Sequence, residues 1–123
     1  MGFQYTVLRC VPRVDREEFV NVGVVLYCQQ AEFLEARCHV DRVRLTTLSP
    51  QLDLDAVSSA LSTVEAVCRG EESAGAAGRT ALGTRFGFVS APRSTVVQPG
   101  PIHGGLTTDP VRELGHLLDR LVR

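Results

Sequence analysis

The chain contains no lysine: all 13 basic residues are arginine, and isoleucine and asparagine occur once each, at Ile102 and Asn21. Lysine, isoleucine and asparagine have AT-rich codons, so the composition points to a gene from a GC-rich bacterium and marks Asn21 and Ile102 as residues present against the coding pressure. An excess of charge of one sign is also missing. With 14 acidic residues the net charge is −1, which supplies no whole-molecule field for nucleic acid or an anionic membrane, so any anion site has to be local. No apolar run approaches the roughly 20 residues of a membrane span. The N-terminus (MGFQYTVLRCV) alternates polar with apolar residues where a signal peptide is continuously apolar. A cytoplasmic protein with neither nucleic acid nor membrane as partner is expected. The four cysteines, Cys10, Cys28, Cys38 and Cys68, form no CxxC pair, and their separations of 18, 10 and 30 positions match no standard zinc spacing. They read as free, buried hydrophobes, with no metal and no cofactor; the alternative is a cross-strand site of Cys10, Cys28, Cys38 and His39. Also lacking are GxSxG, HExxH, Walker and GxGxxG patterns, so no residue is assigned a catalytic role and the corresponding hydrolase, metalloenzyme and nucleotide-fold classes are unsupported.

What is present reads as one domain of 123 residues, long enough to bury about two thirds of the surface of its unfolded chain. Phe3 to Val11, Phe19 to Cys28 and Phe33 to Val40 are rich in β-formers and alternate in polarity, as half-buried antiparallel strands do. In the second run Val20, Val22, Val24 and Leu26 are expected on one face and Asn21, Gly23, Val25 and Tyr27 on the other. The turn-like PRVDREE stretch is too short for a crossover helix, so the strands form a meander. Asp53 to Cys68 places Leu54, Val57, Leu61, Val64 and Cys68 at helical steps, and Arg69-Gly70 closes that helix. Gly70 to Gly78 has nothing to bury and is expected to be a flexible loop over about 70–79. Thr80 to Val89 fits a helix or a strand, and Thr95 to Gln98 a short strand. Asp109 and Pro110 start a last helix with a stripe of Val111, Leu114, Leu117, Leu118, Leu121 and Val122. Strands first and helices after them predict an α+β domain, an antiparallel meander with the helices packed on one face.

The candidate functional stretch is Ala91 to Pro110 (APRSTVVQPGPIHGGLTTDP). Its prolines and glycines deny most of it a helix, and Arg93, Ser94, Thr95, Gln98, His103, Thr107 and Asp109 cluster there as groups able to grip an anion. Arg93 with Ser94 could hold a phosphate or carboxylate; equally, Arg93 could pair with a carboxylate of its own chain such as Glu18. His103, before Gly104-Gly105, could carry a proton or act as a turn histidine bonded to a carbonyl. Asn21, in an apolar strand, has to find backbone partners or reach a site. Glu18 and Asp109 as an acid/base pair compete with roles for Glu18 in a turn and Asp109 as a helix cap. The binding candidates are therefore Asn21, Arg93, Ser94, Gln98 and His103.

YTVLRCVP (Tyr5 to Pro12), REEFVNVGVVLY (Arg16 to Tyr27), APRSTVVQPGPIHGGLTTDP (Ala91 to Pro110) and the final leucine-rich helix resemble, in order and spacing, a bacterial family catalogued as domain of unknown function 3037. The resemblance spans almost the whole chain. It implies a small single-domain protein of no established activity, often encoded beside a kinase-like protein of the HipA type. Two functions fit these observations: a binding or adaptor module acting on a partner such as that HipA-like kinase, or a small enzyme or ligand-binding domain holding a phosphorylated or carboxylated molecule at the 91–110 stretch.

Overall fold

Strands and helices are described here from a computed structural model, for residues 1–13 and 17–123. The β-forming runs become β1 (Gly2–Cys10), β2 (Val20–Cys28) and β3 (Phe33–Cys38), paired antiparallel in the order β3-β2-β1. Val14, Asp15 and Arg16 of the expected turn between β1 and β2 lie outside the described residues. The far side of β1 carries two short antiparallel strands, β4 (Val97–Pro99) beside Leu8–Cys10 and β5 (His103–Leu106) beside Gly2–Tyr5. Their registers differ by one residue, with Leu8 opposite Pro99 but Tyr5 opposite His103. The two are thus one edge strand jogged at residues 100–102. There the buried Thr6 hydroxyl donates to the Gly100 carbonyl at 2.8 Å.

Five helical segments follow the meander or lie between its strands and the edge. The helix α1 (Arg42–Leu48), not foreseen in the sequence, is capped by Asp41, whose carboxylate accepts from Arg44 N. The helix α2 (Leu54–Arg69) is capped by Asp53 and ends at Gly70 in the left-handed conformation, φ 68°. The Gly70 to Gly78 stretch does have something to bury: it winds into 3-10 turns over Glu72–Arg79 and sets Ala74 and Ala77 against the core. The undecided segment is helix α3 (Leu82–Ser90), whose Phe86 stacks on Tyr27 at 5.3 Å. Arg85 of α3 donates to the Val67 and Cys68 carbonyls at the end of α2. Asp109 caps α4 (Pro110–Leu121), accepting from Arg112 N as its Asp-Pro start predicts.

The α+β class and the antiparallel sheet match expectation, but the helices divide between both faces of the sheet. Leu45, Val57, Leu61, Phe86 and Val89 from α1, α2 and α3 pack with Leu8, Cys10, Leu34 and Ala36. Leu114, Leu117 and Leu118 of α4 pack instead with Phe3, Val24, Leu26 and Cys28. The central strand β2 is apolar on both faces and carries a β-bulge. Leu8 faces Gly23 and Arg9 faces Asn21, so Val22 is an extra residue in β2. The expected alternation of β2 is broken there: Val20, Val22, Val25 and Tyr27 join the α2 side, and Val24, Leu26 and Cys28 the α4 side. A strand that is apolar on both faces has to be covered on both.

Among the described helices none is long and apolar enough to cross a membrane. All four cysteines are free thiols. Cys10 and Cys38 lie in the α2 core and Cys28 in the α4 core, so the sheet separates the members of the alternative metal set. Burial, with the nearby Glu65 carboxylate, pushes the Cys38 thiol up to about 12. Burial pushes Cys68 up to about 12 as well, and raises Cys10 from its ordinary value. Between the ordinary thiol value of 9.0 and that raised value, the unfolded chain releases protons that the folded chain keeps, so stability falls as pH rises. The melting temperature is therefore expected to decline above about pH 9, and to decline less in a Cys38→Ala, Cys68→Ala variant. An identical alkaline slope in that variant would remove the thiols as its cause.

Candidate functional site

The 91–110 stretch sends its polar side chains to different faces. Arg93 is tied to its own helix: Nε donates to the Ala91 carbonyl at 3.3 Å, Nη2 donates to the Phe88 carbonyl, and the guanidinium carbon lies 5.1 Å over the Phe88 ring. Phe88 is in the last turn of α3, so Arg93 covers a helix-end carbonyl, and among the described residues no carboxylate pairs with it. Beside it a cavity of about 200 Å³ opens between α2, α3 and β4, with Leu8, Val64, Val67, Val89 and Val97 in its walls. Ser94 is exposed. His103 belongs to β5, not to a turn, and its ring is 5.2 Å from that of Tyr5.

Two of the candidates are brought together, by a residue the sequence reading passed over. Arg9 of β1 is directly opposite Asn21 of β2 on one side and Gln98 of β4 on the other. Residues so paired project from the same face with Cβ atoms about 5 Å apart. Asn21, Arg9 and Gln98 therefore form a polar row across three strands, on the α4 side of the sheet. Tyr5 and His103 lie on that face too, but four residues away along β1, about 13 Å at the rise of a strand. Arg93 borders the cavity on the opposite face, so the five candidates do not share one site.

The row has a defined shape. Asn21 Nδ2 donates to the Leu121 carbonyl at the end of α4, 2.9 Å away. The Arg9 guanidinium carbon is 4.3 Å from the centroid of the Phe19 ring. On the jogged edge strand Gly100 lets the guanidinium come close: a Cβ there would be 3.0 Å from both Cζ and Nε and 3.2 Å from Nη2 of Arg9. Arg9, Val11, Glu17, Phe19, Gln98 and Pro99 line a cleft of about 400 Å³. Among the described residues Arg9 has no ion pair, and its buried Nε and the buried Asn21 Oδ1 have no hydrogen-bond partner. Each such atom costs on the order of 1–3 kcal/mol. A cation held by ring stacking and shape, and not by a carboxylate, keeps its in-plane N–H groups for another acceptor.

A sequence model of the proteins of unknown function named DUF3037 matches residues 5–122. The chain belongs to DUF3037. No curated protein and no solved structure matches it. Within this DUF3037 chain, Arg9 stands in the YTVLRCVP block and Gln98 and Gly100 in the RSTVVQPGP block, so two of the blocks that carry the family resemblance meet at the cleft. A signal for Arg9 was available: it is the single charged residue between Gly2 and Val11, in a run otherwise suited to a sheet interior.

Proposed function

We propose that the protein is a binding module that docks on a partner protein by accepting an extended segment along its β5 edge. The backbone of β5 carries the proposal. Met1 and Thr107 exchange both backbone hydrogen bonds, each 2.8 Å. Antiparallel pairs alternate, so Phe3 with Gly105 and Tyr5 with His103 are the next closed pairs, and Gly104 and Leu106 turn their N–H and C=O groups outward. All four β5 residues are exposed, Leu106 at 83 %, and no charged side chain or proline stands within the strand. Such an unguarded edge is the template for strand addition, with main-chain bonds supplying affinity and flanking apolar side chains, here Leu106 and Ile102, supplying specificity. The partner proposed is the HipA-type kinase-like protein that the family resemblance implies as an encoded neighbour. The local acid/base and metal motifs that would favour an enzyme are missing from the sequence, which supports a binding role.

Gly104→Pro tests the edge, because it deletes one outward N–H. A Cβ at Gly104 meets only the Phe3 carbonyl, at an ordinary 3.5 Å, so the fold tolerates the position being filled. Capture of the HipA-type protein by the tagged chain is expected to be lost in Gly104→Pro and kept in Gly104→Ala, with both variants melting within a few degrees of the parent. Equal capture by the two variants would remove the edge from the interface. A small-molecule function, with a carboxylated or phosphorylated ligand, has separate support in Arg9 of the polar row, which has no ion pair among the described residues.

A further inference from the structure

We infer that the Arg9 cleft binds a small carboxylic acid with a flat apolar body, an aryl carboxylate in chemical class, gripped by Arg9 and stacked against Phe19. The inference rests on the small-molecule function just stated and is independent of the β5 edge. The position that a Cβ at Gly100 would take is nearly equidistant from three guanidinium atoms, 3.0, 3.0 and 3.2 Å, and so lies above the guanidinium plane. The Phe19 ring centroid lies 4.3 Å from Cζ. The Gly100 backbone and the Phe19 ring together hem in the guanidinium. Its Nε is buried, which leaves the Nη end to bond in the plane, at the wall of the cleft. A guanidinium fork held in place by its surroundings suits the two coplanar oxygens of a carboxylate.

The remaining walls select among anions. Among the described residues that line the cleft, Arg9 is the one cation and Glu17 the one carboxylate. One guanidinium fork pairs bidentately with the two oxygens of a carboxylate. Val11, Phe19 and Pro99 supply apolar surface, and Phe19 is 45 % exposed, so an aromatic ring on the ligand can contact its ring. Gln98 donates its Nε2 to the Thr95 carbonyl at 2.9 Å, which leaves Oε1 to accept from a hydroxyl or amine of the ligand. The volume of about 400 Å³ is within the range of small-molecule sites. Asn21, held by the end of α4, sets the inner limit of the row. Among the described residues three buried side-chain atoms lack a partner, Arg9 Nε, Asn21 Oδ1 and Arg85 Nε, and two of the three belong to this polar row.

The test is titration of the whole, 15N-labelled chain with sodium benzoate and, separately, with inorganic phosphate, followed by backbone amide shifts. Saturable shifts centred on Phe19, Gln98 and Gly100 are expected with benzoate, and weaker ones, or none, with phosphate. Arg9→Lys keeps the charge and loses the fork, and is expected to weaken benzoate about tenfold or more. Gly100→Ala leaves Arg9 in place but presses a methyl onto its guanidinium; it is expected to weaken benzoate in the same direction and keeps the test open should Arg9→Lys fail to fold. No saturable benzoate shift, phosphate binding tighter than benzoate, or parent affinity in a folded Arg9→Lys or Gly100→Ala would each overturn the inference. Loss of partner capture in Gly104→Pro leaves all of these outcomes unchanged, so failure of one function is distinguishable from failure of the other.

Discussion

Leu61→Ala and Leu117→Ala are each expected to destabilise the protein by about 2–4 kcal/mol, and the double variant by about the sum. Both leucines are almost fully buried, at 3 % and 2 % exposure. Each truncation removes apolar contact and leaves a cavity that close-packed neighbours refill only in part. Additivity follows from topology. Leu61 is in the core between α2 and one face of the sheet, Leu117 in the core between α4 and the other, and the two cores share no residue. Sites without shared partners usually add to within about half a kcal/mol. A combined loss of about 4–8 kcal/mol is a large share of the about 5–15 kcal/mol of total stability that a domain has. Urea melts of the two single variants and the double variant measure this. A double-variant loss well below the sum would mean that the sheet transmits relaxation from one core to the other.

The elements that could be read in advance are those whose evidence is local. Asp53 with the stripe through Val57, Leu61 and Val64, and Asp109-Pro110 with the stripe through Leu114, Leu117 and Leu118, each state a cap and a face within one segment. The meander was legible for the same reason. Helix α1 was not, because of its seven residues only Leu45 is buried while Val43 is 74 % exposed, so it has no stripe to detect. Strand β5 reads as a turn because His-Gly-Gly has no β-propensity; its pairing with β1 overrides propensity. The face that Val20 and Val22 take depends on the bulge at Val22, and a one-residue insertion inside a run of valines leaves no trace in the pattern of apolar residues.

The candidate site was legible in its parts and not in its assembly. Asn21 was suspect as a polar residue in an apolar strand, and Gln98 as part of a polar loop, but what joins them is cross-strand register, which the bulge and the jogged edge strand set. That register places Arg9 between them. Arg93 misled because an arginine in a Pro-rich loop looks available to a ligand, whereas its hydrogen bonds go to the Ala91 and Phe88 carbonyls nearby. Gly100 carried meaning that no single-residue reading gives, since its role is to lack a side chain where a guanidinium from another strand passes.

Gly23→Val is expected to cost about 3 kcal/mol or more, and Gly23→Ala about 1–3 kcal/mol. A Cβ at Gly23 would stand 3.0 Å from Cys38 Sγ, 3.1 Å from the Arg37 carbonyl oxygen and 3.3 Å from Leu8 Cδ1. Gly23 is flanked by Leu8 on β1 and Cys38 on β3, so a new side chain presses on both neighbouring strands at once. The Arg37 oxygen is backbone in a paired strand and cannot swing aside, unlike the tip of a flexible side chain. Relief therefore requires β2 and β3 to shift. Any such shift disturbs the bulge next to Gly23, and with it the pairing that sets Asn21 opposite Arg9. The substitution should thus lower the denaturant midpoint and also move the amide resonances of Arg9, Asn21 and Gln98, although none of these contacts Gly23 through a side chain. Cys38→Ala in the same chain removes the sulfur but leaves the carbonyl, and is expected to restore part of the loss. Full restoration would assign the whole cost to the thiol and none to the backbone.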